Sequence, residues 1–349
     1  MYEQFFGLDQ NPFMLVPDPR FLYLTAQHKE ALTGLAHSVS RRKGFAVVTG
    51  DAGTGKTTLL RTLLQSLGGD VCQFSMVVNP TLTRSEFLET ILLDFGIKNL
   101  AAGKARQLIQ LGDFLRRRYN SGLIAAILVD EAHKLSPELM EEIRLLTNFE
   151  ESEGKFLQIV LAGQNELDEI LDTPELRQLK QRIACRLRIY PLSANQLASY
   201  LRFRWSQAGS RTELPFGEDA IDYLGLFSGG IPRVINAICD NALLIAFAER
   251  SKEVRPEHIV EAAKDLALRE ARCSTESPVD AKSSGTDEML TPADVKNYLR
   301  ASCLPDSNGS RAALSQNQAA PRMHQNEYYA SERREFVNGL SSMQTKSRA

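Results

Sequence analysis

Four short runs in the first half of the chain are apolar at most positions and rich in Val and Ile: FAVVTG, VCQFSMVV, LIAAILVD and FLQIVLAG. Such runs are the pattern of parallel strands covered on both faces. Between them the period changes. SEFLETILLDFGI and ARQLIQLGDFLRRRY repeat their apolar residues at helical spacing. Strands alternating with helices predict an α/β fold with a right-handed parallel sheet. From about Leu192 the strand-like runs stop. SANQLASYLRFRWSQAG, EDAIDYLGLFS, PRVINAICDNALLIAFAE and RPEHIVEAAKDLALRE all fit helical spacing, with Ser193 where a cap belongs and Pro232 where a first-turn proline belongs.

The predicted organisation is a nucleotide-binding-type α/β core over 1–192, a small helical domain over 193–272, and a tail over 273–349. The tail is rich in Ser, Asn, Gln and mixed charge, which predicts disorder, although TPADVKNYLRAS can form one short helix. Near the start, three prolines in eight residues (Pro12, Pro17, Pro19) exclude regular structure before the helix-like QHKEALTGLAHSVSRR.

Composition narrows the classes. With 349 residues and 43% apolar positions, a sizeable core is possible, and the net charge of −2 gives no overall nucleic-acid signature. Cys72, Cys185, Cys239, Cys273 and Cys303 are odd in number and never spaced C-x-x-C, so neither a disulfide framework nor a zinc site is expected. A reduced, cytoplasmic setting follows as the expectation. MYEQFFGLDQ has neither the basic nor the apolar region of a secretory signal, and LIAAILV and ALLIAFA are too short to span a bilayer.

The stretch Gly50-Asp51-Ala52-Gly53-Thr54-Gly55-Lys56-Thr57 matches G-x-x-x-x-G-K-[ST] between a strand-like and a helix-like run, with Thr58 following. Glycines let the backbone turn its N–H groups inward, and the helix behind adds its positive end, making a phosphate cradle. Lys56 is expected on the β- and γ-phosphates of ATP and the Thr57 hydroxyl on Mg²⁺.

LIAAILVDEAH ends a strand on Asp130-Glu131, and in a parallel sheet ligand sites lie at the carboxyl ends of strands. Asp130 is expected to hold Mg²⁺ and Glu131 to orient the attacking water, since hydrolysis asks for the second carboxylate. FLQIVLAGQNEL ends on Gln164-Asn165; Gln164 can sense the γ-phosphate, or simply cap the next helix. ELRQLKQRIACRLRIYPL supplies Arg177, Lys180, Arg182, Arg186 and Arg188, a run whose ordinary reading is a solvated helical face. Arg182 and Arg186 are the candidates for an arginine that completes a neighbouring subunit's site. In GGIPRVINAICDNA, Arg233 sits in a first helical turn, where a cation is unfavourable unless an anion is near.

The order of phosphate loop, LVDEAH, GQNEL, QRI and G-I-P-R before a helical lid resembles the AAA+ ATPases. The opening FFGLDQNPF…PDPRFLYLTAQHKEAL is similar to the general secretion pathway protein A (ExeA) group, over roughly residues 1–268. The resemblance implies about five parallel strands and a lid, Mg·ATP hydrolysis, and nucleotide-dependent homo-oligomers. It also implies an N-terminal segment flanking adenine, which makes Phe13, Phe21 and Tyr23 base contacts unless they are ordinary packing. Arg233 becomes the second sensor. Two departures stand out: Asn165 replaces the proline of many relatives, and no counterpart of the longer members' transmembrane helix and envelope-binding domain is read here. Three functions follow as expectations. One is an ATPase serving assembly of a secretion, pilus or surface-polysaccharide export apparatus. A second is a transposition-type DNA regulator using Arg41–Lys43 and Arg116–Arg118, less favoured. The third is a slow nucleotide-gated scaffold.

Overall fold

The computed structural model describes residues 1–69, 71–151 and 154–270. The predicted tail, its short helix and the last two positions of the predicted helical domain lie outside the described residues. Five parallel strands form one sheet: β1 (Phe45–Gly50), β2 (Cys72–Val77), β3 (Ile124–Val129), β4 (Leu157–Gly163) and β5 (Ile183–Ile189), in the order β2-β3-β4-β1-β5. The helices up to β5 are α1 (Tyr2–Phe6), α2 (Ala26–Ser40), α3 (Lys56–Leu67), α4 (Arg84–Asp94), α5 (Lys104–Asn120), α6 (Pro137–Leu146), α7 (Glu166–Leu171) and α8 (Arg177–Lys180). A helical lid follows, with α9 (Ala194–Gln207), α10 (Glu218–Ser228), α11 (Pro232–Ala248) and α12 (Pro256–Asp265).

Strand β1 shows why the predicted strands carried so few polar residues. Phe45 and Val47 point into the apolar layer shared with α4, α5 and α6, while Ala46 and Val48 point into the layer shared with α2 and α3. Period-two geometry sends alternate residues to opposite faces, and here both faces are covered. In register, Thr49 lies opposite Gly163 and Val129 opposite Leu161. The carboxyl ends of β1, β3 and β4 therefore open onto one crevice.

Two expectations are corrected. The run around Arg182–Arg188 is not a continuous helical face: α8 ends at Lys180 and Ile183–Ile189 form the edge strand β5. Cys185, Leu187 and Ile189 turn inward, and Arg186 and Arg188 outward. This strand is covered on one side, so it alternates, and outward arginines keep its edge from pairing with another sheet.

The N-terminal segment, grouped by sequence with the core, packs into the lid instead. Tyr2, Phe6, Phe13, Phe21 and Tyr23 are buried in one cluster with Leu201, Trp205 and Ile238. The sheet's faces are already filled by its own helices, so these aromatics find their apolar partner in α9 and α11. Buried Arg204 staples the segment in place. Its Nε donates to the Pro12 carbonyl at 2.6 Å, its Nη2 to the Met14 carbonyl at 3.3 Å, and its guanidinium lies 4.7 Å from the Phe21 ring centre. Among the described residues, no helix is long and apolar enough to cross a membrane.

Phe13 is 1% exposed and meets Phe216 edge-on at 6.0 Å. Phe13→Ala is expected to cost about 3–5 kcal/mol of stability, read as a lower urea midpoint. An unchanged midpoint with weakened ATP affinity would put this ring on the base instead.

Candidate active site

The loop after β1 is shaped by what surrounds it. A Cβ on Gly50 would sit 2.3 Å from the Ile189 carbonyl oxygen, so β5 passes too close for any side chain there. Gly53 has φ +85°, and a Cβ would come within 2.7 Å of the Arg233 Cβ. Ala52 is exposed at the loop's tip, and α3 starts at Lys56 immediately after Gly55. Such a turn running into a helix start is an anion-binding concavity.

Lys56 is 5% exposed and curls back over the loop, its Nζ donating to the carbonyls of Gly50 at 2.8 Å and Asp51 at 2.7 Å. Burial pulls its pKa below the ordinary lysine value, against the opposing pull of the Glu131, Asp130 and Asp51 carboxylates. Thr54 is buried, and its hydroxyl donates to the Asp51 carbonyl at 2.9 Å.

Asp130 and Glu131 differ sharply in surroundings. Asp130 is 4% exposed at the end of β3, and the Thr57 hydroxyl donates to its Oδ2 at 2.6 Å. Glu131 has left-handed backbone, φ +51°, a strained conformation for a residue with a side chain. Its N–H donates to Asp130 Oδ1 at 2.9 Å. Its carboxylate faces Lys134 Nζ at 3.2 Å and His133 Nε2 at 3.6 Å. Burial raises the Glu131 pKa, but the hydrogen bond and charge of Lys134, with His133 and a hydrogen bond from Gln164, leave it below the ordinary carboxylate value.

Gln164 thus stands beside Glu131, while its backbone N–H donates to His133 Nδ1 at 3.2 Å. The next residue, Asn165, donates from Nδ2 to Asp51 Oδ1 at 2.5 Å, tying this loop to the phosphate loop. From the lid, the Arg233 N–H donates to the Gly53 carbonyl at 3.3 Å. Arg233, Lys56, Thr57, Thr58 and Glu131 line one cleft of about 230 Å³ with Phe21 and Tyr23. Phe13 is not among its walls; it is spent on the lid's core.

Arg182 and Arg186 lie outside this cleft. Arg182 precedes β5 at the amino end of the sheet and donates to Thr147 Oγ1 and, at 2.7 Å, to Asn148 Oδ1. Arg186 pairs with Asp168 at 3.1 Å and Asp172 at 3.4 Å.

An AAA domain family matches residues 39–171. General secretion pathway protein A of Aeromonas hydrophila is 42% identical over 255 residues, 73% of this chain and 46% of that protein. The chain carries an AAA domain of the P-loop ATPase type. It spans about half the length of that relative. Among solved structures, Cdc6p from Pyrobaculum aerophilum is similar with a TM-score of 0.59 at 20% identity, covering 74% of this chain and 72% of that one. The Aeropyrum pernix ORC1 protein in complex with DNA follows at 0.56 and 20%, covering 74% and 69%. At such identity the likeness is one of fold.

Three residues of this ATPase's site escaped sequence reasoning. His28, on α2, is 3% exposed; its Nε2 contacts the Thr54 carbonyl at 3.1 Å and its Nδ1 the Thr25 hydroxyl at 2.7 Å. A carbonyl only accepts, so Nε2 carries the proton and Nδ1 accepts from Thr25. Arg204 holds the N-terminal wall of the cleft, and His133 backs Glu131 and Gln164. His133 stood in the LVDEAH run with no role read for it, and a single histidine near a helix start, as at His28, carries no signal at all.

Burial holds the His28 pKa below its ordinary 6.5. The unfolded chain therefore takes up this proton first, so stability is full above that value and falls as pH is lowered through it. Thermal midpoints at about pH 7.5 and about pH 5.5 should separate by less in His28→Gln than in the native chain. His28→Ala is expected to weaken ATP binding about tenfold, the loss of one buried hydrogen bond to the loop, measured by titration with a fluorescent ATP analogue.

Proposed function

We propose that this ATPase hydrolyses Mg·ATP and couples its nucleotide state to the assembly of a secretion, pilus or surface-polysaccharide export machine. One observation carries the hydrolytic part: the Thr57 hydroxyl and Asp130 carboxylate meet at 2.6 Å, with Glu131 the next residue and Lys56 in the same cleft. Hard oxygen donors of this kind suit Mg²⁺, and the donors converge, so Thr57 and Asp130 fit as the residues that hold it. Bound there, the ion would supply positive charge that neutralises the triphosphate.

The chain's own groups then divide the work. Lys56 exchanges the carbonyls of Gly50 and Asp51 for phosphate oxygens, a better partner for a buried ammonium. Gly50, Asp51, Ala52, Gly53, Thr54 and Gly55 provide the cradle, and Thr58 extends it into α3. Glu131 stays ionised beside Lys134 and polarises the water, with Gln164 fixing its carboxylate. Arg233 brings the lid's charge toward the triphosphate. Tyr23 and Phe21 flank the base.

Arg182 donates to neutral oxygens and pairs with no carboxylate among the described residues, so its charge suits a neighbouring subunit's triphosphate in a homo-oligomer. Loss of the γ-phosphate then relaxes the lid as a domain rotation. The setting proposed is cytoplasmic, with any membrane association through partners of the export apparatus.

The DNA-regulator reading loses two of its basic residues to internal roles. Arg42 donates to the Leu123 carbonyl at 2.9 Å with its guanidinium 4.4 Å from the Tyr119 ring centre, and Arg118 donates to the Ile124 carbonyl at 3.3 Å. Binding to duplex DNA that appears only with ATP and collapses with salt would restore that reading.

Lys56→Ala is expected to abolish ATP binding. Glu131→Gln should retain binding while lowering steady-state phosphate release by about 10²–10⁴-fold. Equal turnover in Glu131→Gln and the native chain would leave only the scaffold.

A further inference from the structure

Arg186 was a candidate for donation to a neighbouring subunit, but its surroundings in this chain point elsewhere. A guanidinium that neutralises a neighbour's phosphate must arrive with its charge uncompensated. Arg186 does not: its Nε lies 3.1 Å from Asp168 Oδ1 and its Nη2 3.4 Å from Asp172 Oδ1. Arg182, four residues earlier, meets only neutral oxygens among the described residues.

The second oxygen of Asp168 accepts from the Thr49 hydroxyl at 2.8 Å. Thr49 is 1% exposed and directly precedes Gly50, the first residue of the phosphate loop. One carboxylate thus joins the edge strand to the root of the loop. The same short helix is fastened to the loop a second time, where Asn165 donates to Asp51 Oδ1 at 2.5 Å. Two attachments, at Thr49 and Asp51, bracket the Gly50 peptide, whose carbonyl holds Lys56.

We propose that Arg186 is a positioning residue of its own subunit's phosphate loop, acting through Asp168 on Thr49. With Arg186 removed, Asp168 is free to leave Thr49, and a hydroxyl buried to 1% exposure loses its acceptor. The hold of α7 on the loop is then reduced to the contact at Asp51. The cost falls on binding the triphosphate, before any chemistry. This inference rests on the ATPase reading and deepens it, and the two fail separately.

The test is a split of kinetic constants. Arg186→Ala should raise the KM and Kd for ATP about tenfold while kcat stays within about twofold. Asp168→Asn should behave alike, and the double variant should be no worse than the worse single one, since both act through one contact. Arg186→Lys, which keeps a cation against Asp168, should recover most of the affinity. The result that overturns the proposal is a kcat collapse at unchanged KM, relieved by mixing with Lys56→Ala subunits, because that is donation in trans. Unchanged affinity, or fully additive losses in the double variant, overturns it equally. A native chain that binds no ATP would instead sink the ATPase reading, and Kd alone decides if turnover is slow.

Discussion

A phosphate cradle has to be rigid and empty at once. Its inner surface must offer unoccupied N–H groups, so everything that holds it must attach from outside. Here the outward carbonyls and side chains of Gly50–Gly55 are engaged by four parts of the chain. His28 meets the Thr54 carbonyl, Asn165 meets Asp51, β5 presses its Ile189 carbonyl against Gly50, and the Arg233 N–H meets the Gly53 carbonyl. Each hydrogen bond contributes about 1 kcal/mol net, yet losing one leaves a buried polar group unpaired at greater cost. The same contacts set the geometry of the site and connect the sheet, the N-terminal segment and the lid to the nucleotide.

The two adjacent carboxylates at the end of β3 show how one strand end serves two roles. Asp130 continues the strand, stays buried and takes the Thr57 hydroxyl. The left-handed turn at Glu131 places the next carboxylate among Lys134, His133 and Gln164. A carboxylate held below its ordinary pKa is a weak proton acceptor. That suits the proposed role of Glu131, which is to fix the orientation of water rather than to remove a proton early. Without the turn, two neighbouring side chains on a strand would point to opposite faces of the sheet and only one would reach the crevice.

How much of this was legible followed from how each element is buried. Strands β1 to β4 were plain because burial on both faces leaves uninterrupted apolar runs. Strand β5 was hidden because its outward positions carry Arg186 and Arg188, and charge at every second position looked like a helical surface. The phosphate loop and Asp130-Glu131 were plain because chemistry dictates residue type and spacing together. His28 and Arg204 were not, since each acts through a tertiary contact with a segment far away in sequence. Phe13, Phe21 and Tyr23 were indistinguishable in sequence, all aromatics in one proline-rich stretch. Packing separates them: one ring fills the lid and two border the cleft.

The stretch between Pro12 and Pro17 explains how lid movement is limited. Its first carbonyl is gripped by Arg204 of α9 and its last by Arg61 of α3, which donates to the Pro17 carbonyl at 3.0 Å. One end therefore travels with the lid and the other with the helix that begins at the phosphate loop. Five extended residue steps span at most about 17 Å, so this strap bounds how far the two can separate. Prolines at both ends stiffen it further, by fixing φ and removing donors. The same strap therefore bounds how far the lid, with Arg233 resting on the Gly53 carbonyl, can draw back from the phosphate loop. Because Phe21 and Tyr23, just beyond the strap, are packed with the lid and also border the cleft, this wall of the cleft is tied to the lid's packing rather than to the sheet's.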